Sequence, residues 1–197
     1  MSAPALESDR SPDSTRTPGE AGIWVFVLGD MVVFAVCFVV LAVTYAHDRA
    51  AYALDQDALH LGLGIVNTVV LVTSSLTMAL AVRAARLGHP RAAVRLVAAT
   101  MAGAVVFVAV KVVEYTDLVA AGHTARSDDF FLYFFTFTGL HLLHVVIGLC
   151  VLGGVLRIVR RPVLGRADLS LVESGASYWH MVDLLWLVLF GLLYTLG

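Results

Sequence analysis

Residues 129–156 decide the fold; they read DFFLYFFTFTGLHLLHVVIGLCVLGGVL and contain no charged side chain after Asp129. A helix of about 20 apolar residues spans the hydrocarbon core of a bilayer. In lipid, only a helix satisfies the hydrogen bonds of every backbone amide within such a run. The stretch is therefore predicted to be a transmembrane helix.

Four other stretches have the same character, and the whole chain is poor in polar residues. Of the 197 residues, 59% are hydrophobic and 14% are charged, and the mean hydropathy is +0.86. A soluble domain of this size needs more polar surface to face water. The sequence therefore predicts an all-α membrane bundle of five transmembrane helices, over residues 22–46, 61–82, 92–120, 129–156 and 173–196.

The N-terminal segment is a different kind of sequence. Residues 1–18 are polar, contain proline and charges of both signs, and lack hydrophobic periodicity. Such a composition cannot bury enough apolar surface to offset the entropy of ordering. We therefore predict a disordered cytoplasmic tail over residues 1–18 and a single transmembrane domain over residues 19–197.

The distribution of arginine indicates how the five spans are oriented. The loops after the first and third spans hold one arginine each, Arg49 and Arg126, whereas the other side is rich in arginine. By the positive-inside rule, the N-terminus is predicted inside and the C-terminus outside. The arginines assigned to the inside are Arg10, Arg16, Arg83, Arg86, Arg91, Arg95, Arg157, Arg160, Arg161 and Arg166.

Composition also indicates which kinds of partner and which cellular membrane are expected. Arginine far outnumbers lysine, and Ala and Val are abundant, which is typical of a GC-rich bacterial genome and predicts a bacterial cytoplasmic (inner) membrane. A net charge of −2, with no basic cluster outside the membrane-flanking loops, gives no indication of nucleic acid binding. Cys37 and Cys150 each lie alone in an apolar run, without the spacing of a zinc or redox site.

Two acids lie where the hydrocarbon is expected, and each costs at least about 2.5–3.5 kcal/mol to insert when charged. Asp30 has no basic residue within a turn of its own helix. It is either a proton-active or lipid-binding carboxyl, or a hydrogen-bonded acid that joins helices. Glu114 follows Lys111 by three residues, on the same helix face. Lys111 either extends to the outer interface or forms a salt bridge that neutralises Glu114.

Polar residues form stripes on the last two spans and are predicted to face the bundle interior. Thr138, His141 and His144 share one face, and Glu173, Ser177, His180 and Asp183 share another. His141 or His144 opposite His180 has the geometry of a b-type haem pair, but nearby carboxyl and hydroxyl groups favour hydrogen bonding, and no metal site is predicted. The predicted polar packing network is Asn67, Lys111, His141, His144, Glu173, His180 and Asp183.

The chain resembles subunit III of the haem–copper oxidases. Four motif regions carry the resemblance, in the family's order, and the likeness extends over nearly the whole chain after the tail. They are Trp24–Phe34 with its intramembrane acid, Ile65–Ser75 with Asn67-Thr68, Thr138–Gly148 with two histidines, and Glu173–Trp186 with Trp179-His180-x-x-Asp183-x-x-Trp186; the pair Glu114-Tyr115 also matches. The chain corresponds to the short, five-helix form of the family, and Asp30 stands where the family often has Glu.

The resemblance implies a subunit of an enzyme complex that is not itself catalytic and carries no haem or copper of its own. Haem and copper are then held by the catalytic subunit I and by subunit II, beside which this chain packs. It is expected to bind phospholipid and to support assembly and proton uptake during aerobic electron transport. On this reading Asp30 and Glu114 are the acids linked to protons or lipid.

Three alternatives stay open at the level of sequence. Lys111 ahead of Glu114, together with Gly-Ile-Trp-Val-Phe at residues 22–26, resembles a branch of the family associated with nitric oxide reductases. The chain is then an accessory subunit of such a reductase. A haem-binding membrane cytochrome that uses the three histidines is the second alternative. The third is a small proton carrier that uses Asp30 and Glu114.

Overall fold

Five long α-helices make up the computed structural model, which describes residues 21–47, 49 and 59–195. Each helix is long and apolar enough to cross a membrane, and the described residues contain no strand. The predicted five-helix membrane fold is thus confirmed. The predicted tail, residues 1–18, lies outside the described residues. The helices are α1 (Ala21–His47), α2 (Leu61–Arg86), α3 (Pro90–Ala120), α4 (Asp129–Val159) and α5 (Arg166–Tyr194).

Local sequence explains where the helices begin. Pro90 is the first residue of α3, where its missing N–H costs no hydrogen bond. The Asp128 carboxylate caps α4 by accepting a hydrogen bond from the backbone N–H of Phe131 at 2.9 Å. At α5, Asp168 accepts from the backbone N–H of Gly165 at 3.1 Å. This cap starts α5 at Arg166, upstream of residue 173, where the predicted span begins.

Helices α2 to α5 form a closed ring, and α1 packs outside it. In the ring, α2 contacts α3, α3 contacts α4, α4 contacts α5, and α5 returns to α2. Helix α1 packs mainly on α5 and buries a narrow seam of Val27, Phe34 and Leu41. The rest of the described surface of α1 is largely exposed. The ring therefore encloses one interior, and the polar residues of α3, α4 and α5 lie in or around it.

Candidate functional site

A buried cluster of Lys111, Glu114 and Tyr194 lies inside the ring. The Lys111 ammonium donates to Glu114 Oε2 at 2.6 Å and to the Tyr194 hydroxyl at 2.8 Å. The Tyr194 hydroxyl donates in turn to Glu114 Oε1 at 2.5 Å. Lys111 is 1% exposed and Glu114 is 0% exposed. Lys111 therefore does not extend to the membrane interface, and the salt-bridge alternative describes its contacts.

Aromatic rings surround the Lys111 ammonium. Its Nζ atom lies 4.6 Å from the centroid of the Trp186 ring and 5.1 Å from that of Phe134. The rings of Tyr194 and Tyr115 lie at 5.3 Å and 5.9 Å. The electron-rich faces of such rings attract a cation, and more strongly when water is excluded. The lysine is thus held by its acid on one side and by aromatic rings on the others.

His141 is fully buried, but its partners differ from those predicted. Its ring packs against Phe107 and Trp186, with centroids 5.5 Å and 5.4 Å away. Within the part of the chain that the structure describes, neither ring nitrogen makes a hydrogen bond. The prediction that a nearby carboxyl or hydroxyl satisfies His141 is therefore wrong. The candidate hydroxyl, that of Thr138, is bonded to the Tyr115 hydroxyl at 2.6 Å instead.

Asn67 repeats this pattern on α2. Its side chain is completely buried, yet neither amide atom has a hydrogen-bond partner among the described residues. Asn67 was predicted to belong to the polar packing network, but no hydrogen bond among the described residues links its side chain to another helix. Its neighbour Thr68 does bond across helices, accepting from the indole N–H of Trp186 at 3.1 Å.

Asp30 and His144 form a pair between α1 and α4. Asp30 Oδ1 lies 3.0 Å from His144 Nε2, and both side chains are nearly buried. The other imidazole nitrogen, Nδ1, lies 2.8 Å from the backbone carbonyl oxygen of Leu140. A carbonyl oxygen can only accept, so Nδ1 carries a hydrogen. The contact between Nε2 and Asp30 then needs one further proton, which belongs either to the imidazole or to the carboxyl. The contact therefore joins α1 to α4 through a carboxyl and an imidazole.

The polar stripe of α5 faces α2. The carboxylate of Glu173 accepts from Arg86 at 2.8 Å, near one end of the bundle. His180 Nδ1 lies 2.7 Å from the hydroxyl of Ser75. Asp183 is buried beside Ser75, and neither of its oxygens makes a hydrogen bond of good geometry with the described residues. Ser75, His180 and Asp183 line one groove between α2 and α5, of about 330 Å³.

The three membrane histidines do not share a site. His144 points to Asp30 on α1, and His180 points to Ser75 on α2. His141 lies between two aromatic rings inside the ring of helices. The haem pair considered from sequence, His141 or His144 opposite His180, therefore does not match the directions in which these side chains lie.

Sequence reasoning missed two links between α5 and α2. The indole N–H of Trp179 donates to the Ser74 hydroxyl at 3.1 Å, as that of Trp186 does to Thr68. Both tryptophans are 0% exposed. Buried indoles usually find a hydrogen-bond acceptor, and seven residues separate the two along α5. The spacing of these tryptophans, together with the Ser74 and Thr68 hydroxyls on α2, could have predicted the two hydrogen bonds.

We expect substitution of Asp183 by alanine to reduce the yield of assembled complex, with a smaller loss for His180→Ala. Both residues lie between α5 and α2, but Asp183 is the more deeply buried. The amount of subunit that co-migrates with its partners on native gels measures the effect. Wild-type assembly of both variants would contradict a packing role. Ser177→Ala is a suitable control, because among the described residues its hydroxyl donates to the carbonyl of Glu173 within its own helix and to no other group.

Sequence comparison places the chain in a known family. Residues 18–197 match the family described as Cytochrome c oxidase subunit III. Subunit 3 of cytochrome bo(3) ubiquinol oxidase from Pseudomonas aeruginosa is 28% identical, over 89% of this chain and 84% of the relative. Cytochrome c oxidase subunit 3 from Synechocystis sp. is 32% identical, over 100% of this chain and 88% of the relative.

A third relative is quinol oxidase subunit 3 from Bacillus subtilis, 27% identical over 89% of this chain and 86% of the relative. The match to the family covers all five helices and every residue of the predicted polar packing network. The resemblance noted from the motifs is thereby confirmed. The chain belongs to the cytochrome c oxidase subunit III family and is a subunit III of a respiratory haem–copper oxidase.

Proposed function

We propose that this chain is a non-catalytic subunit that stabilises the catalytic subunits I and II of its oxidase and supports proton uptake through Asp30. Haem and copper are held by those partners in this proposal. The complex lies in a bacterial cytoplasmic membrane, with the N-terminus of this chain inside. Phospholipid beside α1 completes the site around Asp30.

The observation that carries the proposal is the nearly buried contact between the Asp30 carboxyl and the His144 imidazole. The two side chains come from different helices and meet at 3.0 Å in a nearly dry position. The second carboxylate oxygen of Asp30 is buried and makes no hydrogen bond with the described residues. A carboxyl with one bonded and one free oxygen beside an imidazole can accept a proton and return it. It therefore has the chemistry of a proton relay as well as of a helix link.

The test compares Asp30→Ala with Asp30→Asn in the complete oxidase. Asparagine keeps the size and the hydrogen-bonding shape of aspartate but cannot exchange a carboxyl proton. If Asp30 is a relay, both variants insert and assemble but lose sustained turnover and proton uptake several-fold. Oxygen consumption and proton uptake by the complex in liposomes are the measurements. Wild-type behaviour of Asp30→Asn, with loss only in Asp30→Ala, would show that Asp30 acts in packing alone.

The identity of the catalytic partner decides between an oxygen and a nitric oxide reductase. The relatives named above belong to ubiquinol, quinol and cytochrome c oxidases, which supports an oxygen-reducing partner. Lys111 ahead of Glu114 is the feature behind the reductase alternative. Capture of the partner in mild detergent, followed by identification of its haem type, separates the two.

A further inference from the structure

The groove between α2 and α5 has apolar walls and a polar base. Its volume of about 330 Å³ lies within the range of pockets that hold small molecules. The residues at its base are Ser75, His180 and Asp183. The apolar side chains of its walls are exposed on the surface of the bundle, so the groove opens towards the hydrocarbon of the membrane. They are Val72, Leu76, Leu184 and Leu187.

The hydrogen-bonding groups at the base are only partly used within the described part of the chain. Asp183 is 5% exposed, and neither of its oxygens makes a hydrogen bond of good geometry with the described residues. His180 contacts the Ser75 hydroxyl through Nδ1 at 2.7 Å, and its Nε2 atom bonds no other described residue. Buried polar groups usually have a partner, because burial removes the water that would bond them. One carboxyl and one imidazole nitrogen are therefore available to a ligand.

The depth of the groove restricts what this ligand can be. Counted at about 1.5 Å per residue, Ser75 lies about 21 Å from the start of α2 and about 17 Å from its end. His180 lies about 21 Å from each end of α5. The groove is thus near the middle of a hydrocarbon core of about 30 Å. A charged headgroup or a free ion is strongly disfavoured at this depth, so the ligand must be neutral and soluble in the membrane.

We infer that the groove between α2 and α5 binds a membrane quinone or quinol. Such a molecule has a flat ring with an oxygen at each end, and each oxygen accepts a hydrogen bond as a carbonyl or also donates one as a hydroxyl. His180 and Asp183 are three residues apart, so their Cβ atoms lie about 5–6 Å from each other on one face of α5. An imidazole nitrogen and a carboxyl can each bond either form of the ring.

The apolar walls fit the rest of the same molecule. With the ring at His180 and Asp183, the isoprenoid tail lies against the exposed leucines of α5, Leu184 and Leu187. The assignment concerns binding and includes no electron transfer by this chain. The groove is separate from Asp30, and its assignment does not rest on the proton role proposed above.

The test is photolabelling of the full-length chain in lipid nanodiscs with an azide derivative of decylubiquinone, followed by peptide mapping. We expect saturable label on residues 72–79 and 180–187, which excess decylubiquinone removes and the same amount of added phosphatidylethanolamine does not. Ala79→Phe places a ring in the groove at an exposed position, so it should fold and lose the label. The matched control is Ala102→Phe, at an exposed alanine of α3 outside the groove, and it should label like the wild type.

Two further variants test the hydrogen bond to the ring. His180→Phe keeps a flat side chain without nitrogen, and we expect it to need about fivefold more decylubiquinone for half-maximal competition. Ser75→Ala breaks the same link between α2 and α5 but leaves Nε2 of His180 in place. It should therefore stay within about twofold of the wild type. Size-exclusion elution checks that each variant is folded, and Ala79→Phe alone decides if His180→Phe is not.

Four results would overturn the assignment. They are the absence of saturable label in the groove, removal of the label by phosphatidylethanolamine, wild-type label in Ala79→Phe, and equal competition in His180→Phe and Ser75→Ala. The complete oxidase is labelled in parallel. Label on the free chain that the complete oxidase lacks would show that a partner helix covers the groove, and this result would overturn the assignment as well.

Discussion

Substitution of Lys111 by methionine is expected to lower the free energy of unfolding of this subunit by about 3–5 kcal/mol. The change leaves the completely buried carboxylate of Glu114 without its cation, and the Tyr194 hydroxyl becomes its remaining donor among the contacts described above. It also removes the ammonium group from among the aromatic rings that surround it, of which the Trp186 ring is the nearest. The midpoint of thermal unfolding of the purified subunit measures the loss.

The double variant K111M/E114Q shows whether uncompensated charge is the cause. Glutamine keeps an acceptor for the Tyr194 hydroxyl while it removes the charge. We expect this variant to lie within about 2 kcal/mol of the wild type, because neutral replacement of both partners of a buried ion pair is often tolerated. Arg86→Met is the matched control, since it breaks a pair whose arginine is exposed, and should cost about 1 kcal/mol or less. Equal losses in K111M and R86M would refute the argument.

The Lys111 cluster also connects two helices that are not neighbours in the ring. Helices α3 and α5 stand diagonally across it, yet Tyr194 of α5 bonds both Lys111 and Glu114 of α3. Helix–helix contacts in lipid gain little from the hydrophobic effect, so hydrogen bonds and close packing set the arrangement. A buried ion pair completed from the opposite helix therefore fixes the register of α5 against α3.

The fold could be predicted from the sequence because a long apolar run that crosses lipid forms a helix, which satisfies its backbone hydrogen bonds internally. The hydrogen-bond partners of buried polar residues could be predicted from the sequence only where both partners lie on the same helix. Lys111 and Glu114 are three residues apart, so the spacing placed them on one face. Tyr194 lies 80 positions from Glu114 and Asp30 lies 114 from His144. Such pairings depend on which helices become neighbours in the ring, and periodicity within one helix does not specify that.

His141 is a residue for which the local pattern on its own helix gave a wrong prediction. Its place in a polar stripe predicted a hydrogen-bonded imidazole, because every three residues a polar group recurs on that face of α4. In the structure Thr138 turns to Tyr115 and His144 turns to Asp30, which leaves His141 between Phe107 and Trp186. Side chains that recur every three residues along a helix point in only approximately the same direction. Successive residues at spacings of three drift around the helix, and each meets a different neighbour.

Substitution of Gly175 by alanine is the second change expected to have a large effect. A Cβ atom at this position of α5 would lie 2.5 Å from Val155 Cγ2 and 3.3 Å from Val151 Cγ1 on α4. Valine is stiff about χ1, so the helices must separate rather than the side chain turn away. Overpacking of this kind costs about 1–3 kcal/mol. The unfolding midpoint of the subunit and its retention in the complex should both fall.

The same substitution at Gly154, on α4, is expected to act in the opposite direction. A Cβ atom there meets nothing within 4 Å, and alanine favours a helix over glycine by up to about 1 kcal/mol. Val155→Ala combined with Gly175→Ala should recover most of the stability, because it removes the methyl groups that collide. Destabilisation of G175A and G154A to the same extent would show that close packing of α4 on α5 is not what requires glycine at 175. A recovery specific to V155A/G175A would locate the requirement at this one contact between the two helices.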